Sequence, residues 1–435
     1  MSELRNKILF TLFVIAIYRL GALLPAPGVN LDAIEQLRAQ AEDSQAGIFA
    51  FLNVMTGGTL GSLSLFSLGI IPYITASIII QILTVAIPKL EEWQSQGSQG
   101  QAKINQWTRY ISVVLALVQA TGLVFLINRN QSSMLNISVE LFPEGGVVRM
   151  GLAVMCMTVG VAILMWLGEL ITQKGIGNGM SLLIMASVVA SLPALGTQIH
   201  SLRGWGGVAI SLVFLVVLTA GIVFVEQGQR RIPVNFAKRV VGRRQYGGNN
   251  TYIPLKVNQA GVIPVIFATS LLQLPTLVAN VLPSNAAGDS WGDSVRDFIS
   301  SSFYQPDNIG YILIVGLLIV GFAYFYNSIA FDPVRRADEL RRSGGFIPGI
   351  RPGTQTERHL AKILNRITLP GAIFLALVAL IPSAILARTI GAGSSTAGLL
   401  GFSGVSILIA VGVGLETMKQ IDSQLMSRNY EGFLK

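Results

Sequence analysis

The chain has 435 residues, of which 51% are hydrophobic and only 12% charged. Soluble domains carry about 25% Asp, Glu, Lys and Arg, so there is too little charge here to cover a water-facing surface. An ordinary soluble enzyme, a disordered chain and a fibrous repeat are excluded. The single cysteine, Cys156, leaves no internal disulfide and no cysteine-built metal centre. The composition is that of a polytopic membrane protein.

In chain order, ten apolar stretches approach the length of about 20 residues that crosses a bilayer. They are residues 8–24, 65–87, 111–127, 150–167, 179–195, 207–225, 260–282, 309–331, 368–387 and 400–415. No cleavage-site pattern follows the first, which is expected to be a retained helix. The N-terminal segment, the loops after spans 2, 4, 6 and 8 and the C-terminal tail hold 24 of the 31 Lys and Arg. The loops after spans 1, 3, 5, 7 and 9 hold 6, and Arg19 lies within span 1. This bias predicts that both termini are cytoplasmic.

Arg19 is the one charged side chain inside the ten spans, close enough to a span end to snorkel. Coupled pumps and symporters use intramembrane carboxylates, histidines or lysines as relays, and the spans carry none. They also hold no nucleophile–base or metal-ligand constellation at membrane depth, which argues against an intramembrane enzyme. A passive conduit or an insertion device fits this pattern better.

Residues 46–64 are apolar and uncharged yet contain Gly57, Gly58 and Gly61. Each glycine costs about 1 kcal/mol in a helix interior, so a spanning helix is not expected. The segment is either a loop packed on the outer surface or a re-entrant piece entering a central cavity. Pro72, inside span 2, is expected to kink or divide that span. Gly175-Ile176-Gly177-Asn178-Gly179 follows an apolar helix rather than a strand, and predicts a tight turn with close helix approach instead of a nucleotide loop.

The loop after span 6 reads as a β-ribbon, with strands near 230–239 and 252–257 and turn chemistry at Gly247-Gly248-Asn249-Asn250. Arg243 and Arg244 fall near its tip. The loop after span 8 has a helical stretch at 338–342 and turn clusters at 343–345 and 348–353, with eight Lys or Arg in all. Basic blocks beside a membrane serve topology and anionic-lipid contact. They also suit docking of a large acidic partner such as ribosomal RNA through its phosphates.

Six segments resemble the SecY family, the channel subunit of the bacterial protein-translocation complex: YRLGALLPAPGV (18–29), LGIIPYITASIIIQIL (68–83), MWLGELITQKGIGNGMSLLI (165–184), GQRRIPVNFAKR (228–239), PLKVNQAGVIPVIFA (254–268) and GGFIPGIRPGTQT (344–356). The resemblance runs nearly end to end. It implies ten transmembrane helices in two inverted-repeat halves, 1–196 and 197–435, around a central pore, with a re-entrant plug at about 48–63 and cytosolic loops 226–258 and 332–366. The implied function is a passive gated conduit for unfolded preproteins that also releases membrane helices sideways into lipid, with no catalytic activity and no cofactor.

The same resemblance implies roles for individual residues. Ile70, Ile74, Met180, Ile184, Ile266 and Ile409 would form an apolar pore ring. The family usually has a β-branched aliphatic residue where Met180 stands. Asn53, Met55, Gly57 and Gly58 fall in the plug. Thr75, Gln119 and Asn258 match polar positions along a lateral gate between spans 2–3 and 7–8. Arg243, Arg244 and Arg351 match docking positions for the motor ATPase SecA or the ribosome. The implied partners are SecE and SecG, SecA, the ribosome, preprotein signal sequences and anionic lipids. The alternative reading of the spans alone is a small-molecule transporter with a midplane polar site, but polar residues at that depth are sparse.

Overall fold

A chain this apolar must satisfy its backbone polar groups inside helices, because a bilayer offers them no hydrogen-bond partner. The computed structural model describes residues 2–30, 63–129, 146–236, 239–241, 244–246, 250–281, 309–390 and 404–432. Its first half contains α1 Ser2–Leu23, α2 Ile71–Ala86, α3 Pro88–Ser95, α4 Ser98–Arg129, α5 Gly146–Lys174 and α6 Gly179–Gln227. Four strands follow: β1 Gln229–Phe236, β2 Arg239–Val241, β3 Arg244–Tyr246 and β4 Asn250–Lys256. Then come α7 Ile263–Val281, α8 Ile309–Ala330, α9 Pro333–Arg342, β5 Gly345–Phe346, α10 Thr354–Ile390 and α11 Gly404–Gly432.

Among the described residues 7 helices are long and apolar enough to cross a membrane, counting the second part of α6 as one. In addition α2 runs into α3 across a bend of 101°, and Gly179–Pro193 and Ile263–Leu272 are shorter apolar helices. Each of the ten expected spans falls on one of these helices. The chain is an all-α polytopic membrane protein.

Two breaks differ from expectation or refine it. Pro72 divides span 2 rather than kinking it: it stands in the first turn of α2, which begins at Ile71. Proline is accommodated there because its missing N–H would have had no intrahelical partner. Residues 65–70 precede the helix as successive turns. The sharp bend comes at the other end, where Ile87 is extended (φ −111°, ψ 112°) ahead of Pro88, the conformation that a following proline enforces. The second break divides α6 at Gly204, with φ 64° and ψ −165°.

In the bundle α2 packs on α4, α4 on α5, and α5 on α6, with α1 against α5 and α6. On the other side α7 and α10 both pack on α8, α10 meets α11, and α11 returns to α6. The two groups also touch where α7 meets α2 and α4. The turn between α5 and α6 is as tight as its glycines imply. Asn178 caps α6, its Oδ1 accepting from the backbone N–H of Met180 at 3.1 Å. A Cβ at position 179 would stand 1.9 Å from the carbonyl oxygen of Gly168.

The loop after α6 forms an antiparallel ribbon in which β1 pairs with β4 from Gln229↔Lys256 to Asn235↔Asn250. It differs from the expected simple hairpin, because β2 and β3 form a second short pair further out, from Arg239↔Tyr246 to Val241↔Arg244. Side chains alternate along β1, with Ile232 and Val234 buried at 4% and 0%. Pro254 is tolerated because β4 is an edge strand. The other basic loop joins this sheet: β5 pairs with the outer end of β1 at Asn235↔Phe346 and Phe236↔Gly345. Beneath them Ile232, Val234, Leu255, Phe331, Ile347 and Leu360 form a small core separate from that of the bundle.

The α5–α6 contact generates a prediction. Gly179→Ala should destabilise the folded protein by about 1–3 kcal/mol through overpacking. Gly221→Ala, where a Cβ meets nothing within 4 Å, should leave stability unchanged or slightly raised. Thermal unfolding of the two purified variants, followed by size-exclusion fluorescence, checks the contrast.

Candidate pore, gate and docking loops

The isoleucines of the expected ring come from four helices. Ile70 is the N-cap residue of α2 and Ile74 lies one turn further, on the same face. Ile184 is in α6, Ile266 in α7 and Ile409 in α11. All five line one central cavity, which has about 40 Å³ of room for the centres of water molecules. That is space for only about three or four waters at 10–15 Å³ each. Its wall is largely apolar, with Ser187, Thr269 and Ser270 as the polar residues that contribute to it. Thr269 directs its hydroxyl to its own helix, to the carbonyls of Val265 at 3.1 Å and Ile266 at 3.0 Å.

Met180 departs from the expected ring. Its sulfur occupies the notch left by Gly168 on α5, where an added Cβ would lie 2.5 Å away, and it does not line the cavity. The long unbranched side chain is able to bend back into this notch; a β-branched residue is not.

The three polar residues expected along the gate do not bond one another. Thr75 donates to Ile71 O of its own helix at 3.0 Å, and Gln119 is half-buried on α4. Asn258 is 4% exposed and donates through Nδ2 to Glu226 Oε2 at 2.9 Å and to Gly261 O at 3.0 Å. Its bonds therefore tie the start of α7 to the end of α6 at the root of the ribbon. Glu226 escapes sequence reading because it looks like an ordinary carboxylate at a span end.

Arg19 also differs from expectation. It does not snorkel; it turns inward, donating through Nη2 to Ala186 O and, at 3.2 Å, to Ser187 O of α6. The preceding Tyr18, 0% exposed, hydrogen-bonds through its hydroxyl to Ser187 Oγ. The one sequence signal was an arginine inside an apolar span, which marks a functional position more often than a packing one. Sequence reading likewise missed the bidentate pair of Arg109 on α4 with Glu169 on α5, at 2.6 and 2.7 Å.

Asn53, Met55, Gly57 and Gly58 lie outside the described residues. The chain just after them is fixed to the end of α1: Ala26 N–H donates to Leu63 O at 2.9 Å and Leu65 N–H to Leu24 O at 3.0 Å. Of the docking positions, Arg243 lies outside the described residues and Arg244 opens β3. Arg351 is exposed. It sits between Gly349 and Gly353, both in the left-handed region at φ 81° and 108°, where glycine is the least strained residue. Its backbone is pinned by Thr356, whose hydroxyl donates to Arg351 O at 3.0 Å.

Comparison with known proteins gives one consistent answer. The SecY family model matches residues 64–418. Protein translocase subunit SecY of Mycobacterium bovis is 50% identical over 438 residues, covering 100% of this chain and 97% of its own. The Streptomyces coelicolor protein of the same name is 47% identical over 438 residues, with the same coverage. Among solved structures, one described as a protein conducting channel superposes with a TM-score of 0.63 at 19% identity, covering 98% of this chain and 93% of its own. Sec61 in a canine ribosome–channel complex gives 0.59 at 18% identity, again covering 98% and 93%. With near-complete coverage and half the residues identical, this chain belongs to the SecY family.

Proposed function

We propose that this chain is the pore-forming subunit of a protein translocase. It is a passive gated conduit that passes unfolded preproteins across the cytoplasmic membrane and releases hydrophobic helices sideways into lipid. The observation that carries this reading is the narrow apolar cavity to which α2, α6, α7 and α11 each bring isoleucine. A largely apolar wall offers a passing chain few fixed hydrogen bonds, so varied sequences slide, and it sheds water when empty. The chain supplies no chemistry of its own.

The pore ring is Ile70, Ile74, Ile184, Ile266 and Ile409, without Met180. The gate lies where α7 meets α2 and α4, and residues about 48–63 act as the plug. The chain divides into halves 1–196 and 197–435. Both termini face the cytoplasm, a reading supported by the charge bias and by how the basic ends gather. The α5–α6 turn reaches α1 through Ile176 N–H to Thr11 Oγ1 at 3.2 Å, and Gly177 lies against Thr417 of α11.

SecA and the ribosome dock on the joined basic loops, at Arg351 and at Arg243 and Arg244. SecE and SecG cover apolar flanks of the bundle. Lys89 and Lys103, over the Trp93 ring at 5.9 and 5.7 Å, meet anionic lipid headgroups.

Crosslinking to a stalled secretory chain tests the path. In a Cys156→Ser background, single cysteines at Ile74, Ile184 and Ile266 should all form adducts. One at Val217, 65% exposed on the bundle's outside, should not. Absence of adducts at all three, with the protein folded, would return the small-molecule transporter as the better reading. Separately, Arg351→Glu should lower motor-driven export about tenfold or more, as loss of an arginine anchor does, while the amount of inserted protein stays constant. Unchanged export would remove Arg351 from the docking surface.

A further inference from the structure

A constriction that seals by drying out needs an apolar wall, yet the wall ringed by the isoleucines includes Ser187. An unbonded hydroxyl there would hold water in the cavity, and a wetted constriction passes ions. The geometry around Ser187 removes that hazard. Its Oγ donates to Leu183 O at 3.0 Å, which leaves the oxygen as an acceptor. Tyr18 on α1 satisfies that acceptor by donating its hydroxyl proton to Ser187 Oγ. Because Tyr18 is 0% exposed, this bond reaches Ser187 from behind the wall and not through the cavity. The adjacent Arg19 grips the same turn of α6 by the carbonyls of Ala186 and Ser187. Ile184 lies three residues earlier on the same helical face, so the clamped turn also carries a ring residue.

We propose that Tyr18 and Arg19 are positioning residues for the seal: they hold the Ser187 hydroxyl bonded and turned away from the pore, so that a polar residue contributes to an apolar constriction. The inference rests on the cavity being the pore. It gives Arg19, the one charge within the spans, a task that a span-end cation does not have.

The test uses the full chain purified in its native complex and reconstituted in proteoliposomes, with chloride flux measured at rest and with a preprotein jammed in the channel. Wild-type complex should be tight at rest and conduct when jammed. Tyr18→Phe should raise resting flux about tenfold, equivalent to about 1.4 kcal/mol, without reducing jammed flux. The double variant Tyr18→Phe with Ser187→Ala should return to within about twofold of wild type, because removing both partners leaves no unpaired polar atom. Ser187→Ala alone, which makes the wall apolar, should also stay tight. A tight Tyr18→Phe channel overturns the inference. So does a double variant that remains leaky, which would mark Tyr18 as general structural support, and so does a leak in Ser187→Ala equal to that of Tyr18→Phe. If jammed wild-type complex fails to conduct, the pore reading itself falls and the clamp with it.

Discussion

The central cavity that we propose as the pore constriction is assembled from single turns of four helices, so its bore is fixed by whatever holds those helices in register rather than by any one side chain. Van der Waals contact among isoleucines is too isotropic to do this, because each pair contact is worth only a fraction of a kcal/mol and tolerates sliding. The directional contacts lie behind the wall instead. Tyr18 and Arg19 fix the turn of α6 that bears Ile184. The Gly179–Gly168 approach and the Asn178 cap fix where that helix begins. On the other side Asn327 of α8 donates to Thr368 of α10 at 2.9 Å in a buried setting. Directional polar contacts thus lie mostly behind the cavity wall, where they orient, and of the hydroxyl residues on it Ser187 and Thr269 are bonded within the protein.

The same division applies to the part outside the bundle. The β-ribbon and the loop after α8 are far apart in sequence, yet β5 extends the ribbon and both share a small apolar core with Phe331 and Leu360. Two basic loops that would each be pliable become one platform. Its root is closed where Val257 N–H donates to Gly228 O at 2.9 Å and Glu226 accepts from Asn258. A load on the ribbon therefore meets the first residues of α7 through a buried hydrogen bond, and α7 is the helix that faces α2 and α4.

Much of this was legible from residues alone, for physical reasons that differ by feature. Hydropathy placed each expected span on an apolar helix because bilayer thickness demands long runs of apolar residues. Alternation located the ribbon because strand geometry has a period of two. What failed was whatever depends on a partner distant in sequence. Pro72 reads as a kink or a division until the helix is seen to start beside it. Met180 reads as a ring residue until Gly168 is seen to leave room for its sulfur. Arg19 reads as snorkelling because nothing local reveals the carbonyls of residues 186 and 187, which lie more than 160 positions away. The β5–β1 pairing likewise has no local sign, since a two-residue strand carries no pattern.

The proposed gate illustrates why such a channel would separate rigid from yielding contacts. Of the three polar residues placed along it, Thr75 satisfies itself within α2 and Asn258 within its own side of the seam, so parting α7 from α2 and α4 breaks neither bond. What would oppose opening of such a gate is then mostly apolar contact between helices. A hydrophobic signal helix or the lipid tails can replace that contact at little net expense, since hydrocarbon is as apolar as the surfaces it covers. Interhelical hydrogen bonds across the seam would add about 0.6–2 kcal/mol each, and each would have to be broken before a substrate gained anything. By confining its hydrogen bonds to one side or the other, the proposed gate leaves apolar surface as what an entering segment must match, and the hydrophobicity of that segment becomes the property the channel selects.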